Sequence, residues 1–176
     1  MNPPTILEGP RAVKNFRITD GDLDLSHSNR VDMVLGRDKL TQDLTLWLLE
    51  PLGTGYATPG FGSTLNTVVS RDTRGRREGR FIGQEYTEDV AVEIETEVDR
   101  VLNLYQQDQV QKIRQAKAEG RLYLYSKREI LNSIDSITSN QDRDTAVIKV
   151  DITTGANQDL DLLAQVDTEE VQISAS

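Results

Sequence analysis

Acid–base chemistry is the first possibility these residues raise. Glu50 follows an apolar helical stretch and precedes an open, glycine-rich loop, with Asp38 and Asp43 upstream. Glycoside hydrolysis needs two carboxyl groups held about 5–9.5 Å apart, so Glu50 with Asp38 or Asp43 is the candidate pair. The chain has 29 acidic residues, so some such pair is almost assured by chance. Nucleophilic and metal chemistry have less to work with. There is no cysteine, which removes disulfides, thiolate zinc sites and thiol catalysis. The single histidine, His27, lies in a polar Ser-His-Ser turn. No multi-histidine metal site can be built from it, and a solvated turn is the simpler reading. No catalytic set, metal or cofactor is expected.

The loop itself reads Leu46-Trp-Leu-Leu-Glu-Pro-Leu-Gly-Thr-Gly-Tyr-Ala-Thr-Pro-Gly-Phe-Gly-Ser-Thr-Leu65. A phosphate-binding loop would follow a strand and carry a lysine and a hydroxyl residue after its glycines. Gly53-Thr-Gly55 lacks that lysine–hydroxyl pair, and a helix precedes it. Backbone turns with positive φ account for the glycines better, so the loop is a shaped connector. Trp47 fits a core position on its helix.

Composition bounds the rest. The 176 residues carry a net charge of -9, with 36% apolar and 5% aromatic residues. A pI near 4.7 and a mean hydropathy of -0.50 fit a soluble chain with one modest core and extensions. Nucleic acid is not an expected partner, since phosphate binding needs a basic face. No apolar run approaches about 18 residues, so no membrane insertion is expected. The start, Met1-Asn-Pro-Pro-Thr5, shows no basic stretch followed by an apolar one, so no signal peptide is expected either.

Several elements must position these residues. Residues 1–14, with Pro3, Pro4 and Pro10, read as an extended arm. Phe16, Ile18, Leu23 and Leu25 alternate with polar residues about a turn at Asp20-Gly-Asp22, and Val31–Gly36 is a further strand candidate. Leu40, Leu44, Trp47 and Leu48 fall on one helical face. That helix spans about 38–49, capped by Asp38 and stopped by Pro51. Leu65, Val68 and Val69 suggest a short helical turn. Residues 71–80 hold Arg71, Arg74, Arg76, Arg77 and Arg80 against two acids. Such a loop is either solvated or docks an acidic partner surface through bidentate guanidinium contacts.

Thr87 opens the strongest helix. Val90, Ile94, Val98, Val101, Leu102 and Tyr105 form its stripe, and Glu93, Glu95 and Glu97 read as a solvated face. Its length predicts a kink or break near 106–109, or projection beyond the domain, before Gly120 ends it. Ser126 can cap a single turn at Lys127–Glu129. A hairpin of about 130–138 with 145–153 follows, with Ile148, Val150 and Ile152 on one face and a polar turn over 139–144. Residues 154–176 are acidic and thinly apolar, and read as a C-terminal arm with one possible short helix or strand, not a second core. The expected fold is α+β: a small mixed or antiparallel sheet with two main helices over 15–153, and extended arms at both ends.

The order of strand, helix ending Leu-Leu-x-Pro and loop closing Pro59-Gly-Phe-Gly-Ser-Thr-Leu65 resembles the small baseplate wedge proteins of contractile phage tails and related injection systems, also called sheath initiators. Pro51, Gly53, Pro59, Phe61, Gly62, Ser63 and Leu65 carry the match, and it covers about residues 30–153. Two positions depart. Thr54 stands where the family usually has arginine, and Lys127-Arg-Glu129 stands near the family's Glu-Pro-Arg.

The resemblance implies a structural virion protein rather than an enzyme, similar in fold to the core domain of tail sheath proteins. It implies assembly in the host cytoplasm into the tail baseplate, with six copies around the axis. Partners would be the tail sheath protein, baseplate wedge proteins and tail tube or hub proteins. Arms of the first sheath ring would add strands to an incomplete sheet. Pro51, Gly53, Pro59, Phe61, Gly62, Arg128, Glu129, Ile148, Val150 and Ile152 become the partner-binding candidates. Some members are labelled lysozymes, which keeps a cell-wall-degrading tail enzyme using Glu50 as the rival. A generic acidic adaptor for a basic partner is a third reading.

Overall fold

A computed structural model of the chain describes residues 15–19, 22–23, 33–54, 60–65, 68–71, 77–79, 88–121, 125–142, 145–166 and 171–175. The strands are β1 (Asn15–Phe16), β2 (Ile18–Thr19), β3 (Asp22–Leu23), β4 (Met33–Val34), β5 (Val68–Arg71), β6 (Arg77–Gly79), β7 (Leu131–Asp142), β8 (Thr145–Thr154), β9 (Asp159–Val166) and β10 (Val171–Ala175). The helices are α1 (Gly36–Leu49) and α2 (Glu88–Ala118), and a 3-10 turn occupies Lys127–Glu129. The class is α+β as expected: two helices and a four-stranded antiparallel sheet in the order β10-β9-β8-β7.

Period-two alternation builds the sheet's inner face. Ile148, Val150 and Ile152 of β8 and Leu160, Leu162, Ala164 and Val166 of β9 are all buried. They meet Leu40, Leu44 and Leu48 of α1 and Ile94, Val98, Val101 and Leu102 of α2 in one core. The helices lie side by side over this face, α2 against β7 and α1 against β10. The other face mixes Val147 and Leu163 with charges, Lys149 Nζ lying 2.8 Å from Asp151 and 3.9 Å from Asp161.

The C-terminal segment is therefore corrected. Residues 159–166 and 171–175 are not an arm but two sheet strands, and β9 contributes a full row of core side chains. The charges Asp159 and Asp161 obscured this pattern. Asp161 lies between buried Leu160 and Leu162, and Asp159 precedes them on the same outward side, so low average hydrophobicity hid a clean alternation. The expected polar turn over 139–144 is shorter as well, because β7 runs to Asp142, which pairs with Thr145.

Both helices differ in detail from expectation. α1 begins at Gly36 behind an extended Leu35 with no side-chain cap, and Asp38 falls in its first turn. The strand described before it is Met33–Val34, paired with β1, and residues 31–32 lie outside the described residues. α2 continues through 106–109 without interruption, because its glutamines bond across to the sheet. Val68 opens a strand, not a helical turn, and β5 pairs with β6. β2 and β3 form the expected small hairpin, with Ile18 opposite Leu23, while Phe16 is exposed. The 1–14 arm, His27, Leu25, Pro59 and Thr87 lie outside the described residues. No described helix is long and apolar enough to cross a membrane.

Candidate interaction site

The glycine loop is a clasp on the end of α1. Pro51 forces Glu50 into an extended conformation, φ -66° and ψ 126°, which leaves the last helical carbonyls without partners. The Phe61–Leu65 segment supplies them. The Ser63 hydroxyl donates to the Leu48 carbonyl and its oxygen accepts from Leu65 N–H at 3.1 Å. Ser63 N–H donates to Glu50 O, and Leu52 N–H donates to Ser63 O, both at 2.8 Å. Gly62 makes that approach possible. Its φ is +99°, and a Cβ there would stand 2.5 Å from the Glu50 carbonyl oxygen. Phe61 meets Trp47 edge-on at 4.7 Å, and Trp47 meets Tyr105 at 5.6 Å. Leu65 is fully buried.

α2 then holds the clasp. Glu97 Oε1 accepts from Thr64 N–H at 2.6 Å, and Arg100 donates to both Glu97 carboxylate oxygens at 2.7 Å. Arg100 also reaches the Gly62 carbonyl at 3.2 Å. Burial alone would raise the Glu97 carboxyl, but Arg100 and the Thr64 N–H outweigh it and hold the pKa below its ordinary value. Glu97 is thus a buried anchor, which corrects its assignment to a solvated face.

A second buried carboxylate serves the other end of α1. Ser126 accepts from Arg128 N–H and caps the 3-10 turn as expected. The turn delivers Glu129, 2% exposed, beneath the helix start. Glu129 Oε1 accepts from Gly36 N–H at 3.4 Å, and Oε2 lies 3.7 Å from Lys39 Nζ. It thereby faces the positive end of the helix dipole that Leu35 leaves uncapped. Lys39 also pairs with Asp43 at 2.9 Å. Burial raises the Glu129 pKa and Asp43 adds to it, against Lys39 and the Gly36 N–H. Tyr105 is likewise raised, by burial first and then by Asp43 and Glu129. Gln109 closes the junction, donating to Glu129 O at 2.6 Å and accepting from Leu131 N–H at 2.9 Å.

The carboxylate pairs do not form. Asp38 and Glu50 are separated by about 18 Å of helical rise at ~1.5 Å per residue. Asp43 points toward Lys39, one turn nearer the helix start, while Glu50 accepts from the Thr54 hydroxyl at 2.6 Å on the loop side. Among the described residues no acid-rich group suits a metal ion.

The expected partner-binding residues separate into distinct roles. Pro51, Phe61 and Gly62 shape the clasp, Gly53 is exposed, and Pro59 lies outside the described residues. Arg128 is exposed and packs over Gly36, whereas Glu129 is buried. Ile148, Val150 and Ile152 point into the core from β8. Because β8 lies between β7 and β9, both its edges are occupied. Open edges belong instead to β10 and β7, neither of which has an outer partner strand among the described residues.

The β7 edge faces a cleft of about 700 Å³ beneath α2. Gln106 donates to Asn132 O at 2.8 Å at one end, and Glu95 accepts from Ser139 N–H at 2.8 Å at the other. Glu95, Asp99, Asn103 and Gln106 line its helical wall, and Asp135 its strand wall. The signal for this wall was present in the sequence as a polar stripe at intervals of four, four and three residues. No family model, curated protein or solved structure matches the chain.

Proposed function

We propose that this protein is a structural module of a contractile-tail baseplate wedge, whose sheet accepts extended arms from the first ring of sheath subunits. The observation that carries the reading is the antiparallel sheet ending on β10, a strand paired only on its β9 side among the described residues. Main-chain groups on such an edge bond an incoming strand regardless of its sequence. β9 and β8 behind β10 are packed against the core through Leu160, Leu162, Ile148, Val150 and Ile152, which supports its use as a template. The clasp motif Pro51…Phe61-Gly-Ser-x-Leu65, on which the family resemblance rests, has a physical task in holding α1 against α2. Sheath-like architecture, six copies and placement between hub and sheath belong to the same proposal.

Removing the protein from a producing cell and imaging the particles tests it. Tubes or hubs without an assembled sheath are expected. Normal tails would overturn the reading. Cell-wall hydrolysis by the purified chain that Glu50→Gln abolishes would replace it with the enzyme.

A further inference from the structure

We infer that the cleft between α2 and the outer edge of β7 takes an extended, basic segment of a partner protein, which pairs with β7 and sets alternate lysine or arginine side chains against Glu95 and Asp99. Two bonds mark the ends of the cleft, Gln106 to Asn132 O and Glu95 to the Ser139 N–H. Between them β7 has no outer partner strand among the described residues. The Ser139 N–H turns toward Glu95 and not toward β8. Main-chain groups of an antiparallel strand alternate in direction, so Ile137, two residues back in continuous register, also turns its N–H and C=O away from β8 and toward the cleft it lines. Those are the groups that an added strand bonds. Register shifts between Leu131 and Ser133 and between Ile134 and Ser136 bend the same edge. Bulges of this kind hinder indiscriminate pairing, which leaves charge to select the incoming segment.

Charge and spacing define the partner. Glu95, Asp99 and Asp135 line the cleft, and no basic side chain does. Asp99 is exposed and has no cationic partner among the described residues. Asp135 accepts from the neutral hydroxyls of Ser133 and Thr153 at 2.9 and 2.6 Å, which leave its charge uncompensated. α2 runs beside β7 in the opposite direction, since Gln106 meets Asn132 while Glu95 meets Ser139. Glu95 and Asp99 stand one turn apart, about 6 Å along α2 at ~1.5 Å per residue. Alternate residues of a strand, whose side chains share a face, are about 6.6 Å apart. Cations at positions i and i+2 of an added strand therefore reach both carboxylates, and Asp135 on the edge itself draws a third. A net charge of -9 attracts such a segment before contact. β7 is the edge opposite β10, so this contact does not depend on strand addition at β10.

Fluorescence anisotropy of the full chain with a labelled Thr-Lys-Val-Lys-Val-Lys-Thr peptide tests this. Binding is expected at about 50 mM salt and weakens as screening increases. Asp99→Lys weakens it by at least about tenfold. Glu119→Lys makes the same charge change at an exposed position about 30 Å further along, and shifts binding by less than about threefold. Two peptides N-methylated at alternate amides, one in each phase, keep the charge. The one that loses the donors facing β7 binds at least about tenfold more weakly than the parent. Equal binding of the parent and both methylated peptides overturns the inference, as do equal effects of the two lysine variants or no binding at about 1 mM peptide. Self-association of the wild type that Asp99→Lys abolishes also overturns it, by giving the cleft to a second copy. Circular dichroism checks that each variant folds, and Asp99→Asn takes the place of Asp99→Lys if that chain is unfolded.

Discussion

Glu97 and Thr64 join the two helices: the Thr64 N–H, in the clasp that closes α1, donates to a carboxylate of α2 at 2.6 Å. One buried side chain thereby ties the end of one helix to the middle of another. Glu97→Ala leaves Arg100 and the Thr64 N–H without their acceptor, and a loss of about 2–3 kcal/mol is expected in urea unfolding at pH 7. The Glu97 pKa is lowered in the folded state. Its contribution is therefore present above the unfolded value of 4.5 and disappears as pH falls through the folded value. Wild type and variant should converge in stability once pH has fallen below that folded value.

Gly62→Ala places a methyl group 2.5 Å from the Glu50 carbonyl at a φ of +99°. The clasp must open to admit it. Destabilisation of about 2 kcal/mol or more is expected, with loss of the near-ultraviolet signal from Trp47, which Phe61 covers.

Glu129 behaves in the opposite sense to Glu97. Burial raises its folded pKa above the unfolded value of 4.5, so the folded state binds a proton more readily. Its stabilising term is fully present below pH 4.5 and is lost as pH rises through the folded value. Relative to Glu129→Gln, the wild type should gain stability as pH falls from 7 through the folded value toward 4.5. Thermal melts of both proteins across that range measure the difference.

The last two strands belong to the core. Leu162→Ala should cost about 2–5 kcal/mol, as for other fully buried leucines. Deleting residues 154–176 removes two of the sheet's four strands, and the truncated chain is expected to be unfolded by circular dichroism. A truncated chain with native spectra would restore the view of this segment as a detachable arm.

Much of this architecture was legible because strong periodicity leaves little choice. Leu40, Leu44 and Leu48 mark α1; Ile148, Val150 and Ile152 mark β8; and Ser126 marks its short turn. What escaped was set by tertiary contacts. Gln106 and Gln109 resemble a helix break in one dimension, yet they bond the backbone at Leu131 and Asn132. Glu97 and Glu129 read as surface acids until Arg100 and the start of α1 are brought beside them. Residues 159–166 alternate faithfully, but their outward acids lowered the average. Which strands lie at the edges of the sheet is not legible in the sequence either, since pairing order, not strand strength, decides which strand lies outermost.

Strand addition at β10 is the central claim, and a photocrosslinking residue placed at Ser174 tests it most directly. Ser174 is exposed on the outermost strand, and particles purified from producing cells supply the partners. The expected result is a link from Ser174 to a terminal arm of the tail sheath protein, absent when the same group replaces exposed Lys112 on α2. Particles that contain the protein but link Ser174 only to solvent-quenched products or to non-tail proteins would contradict the account.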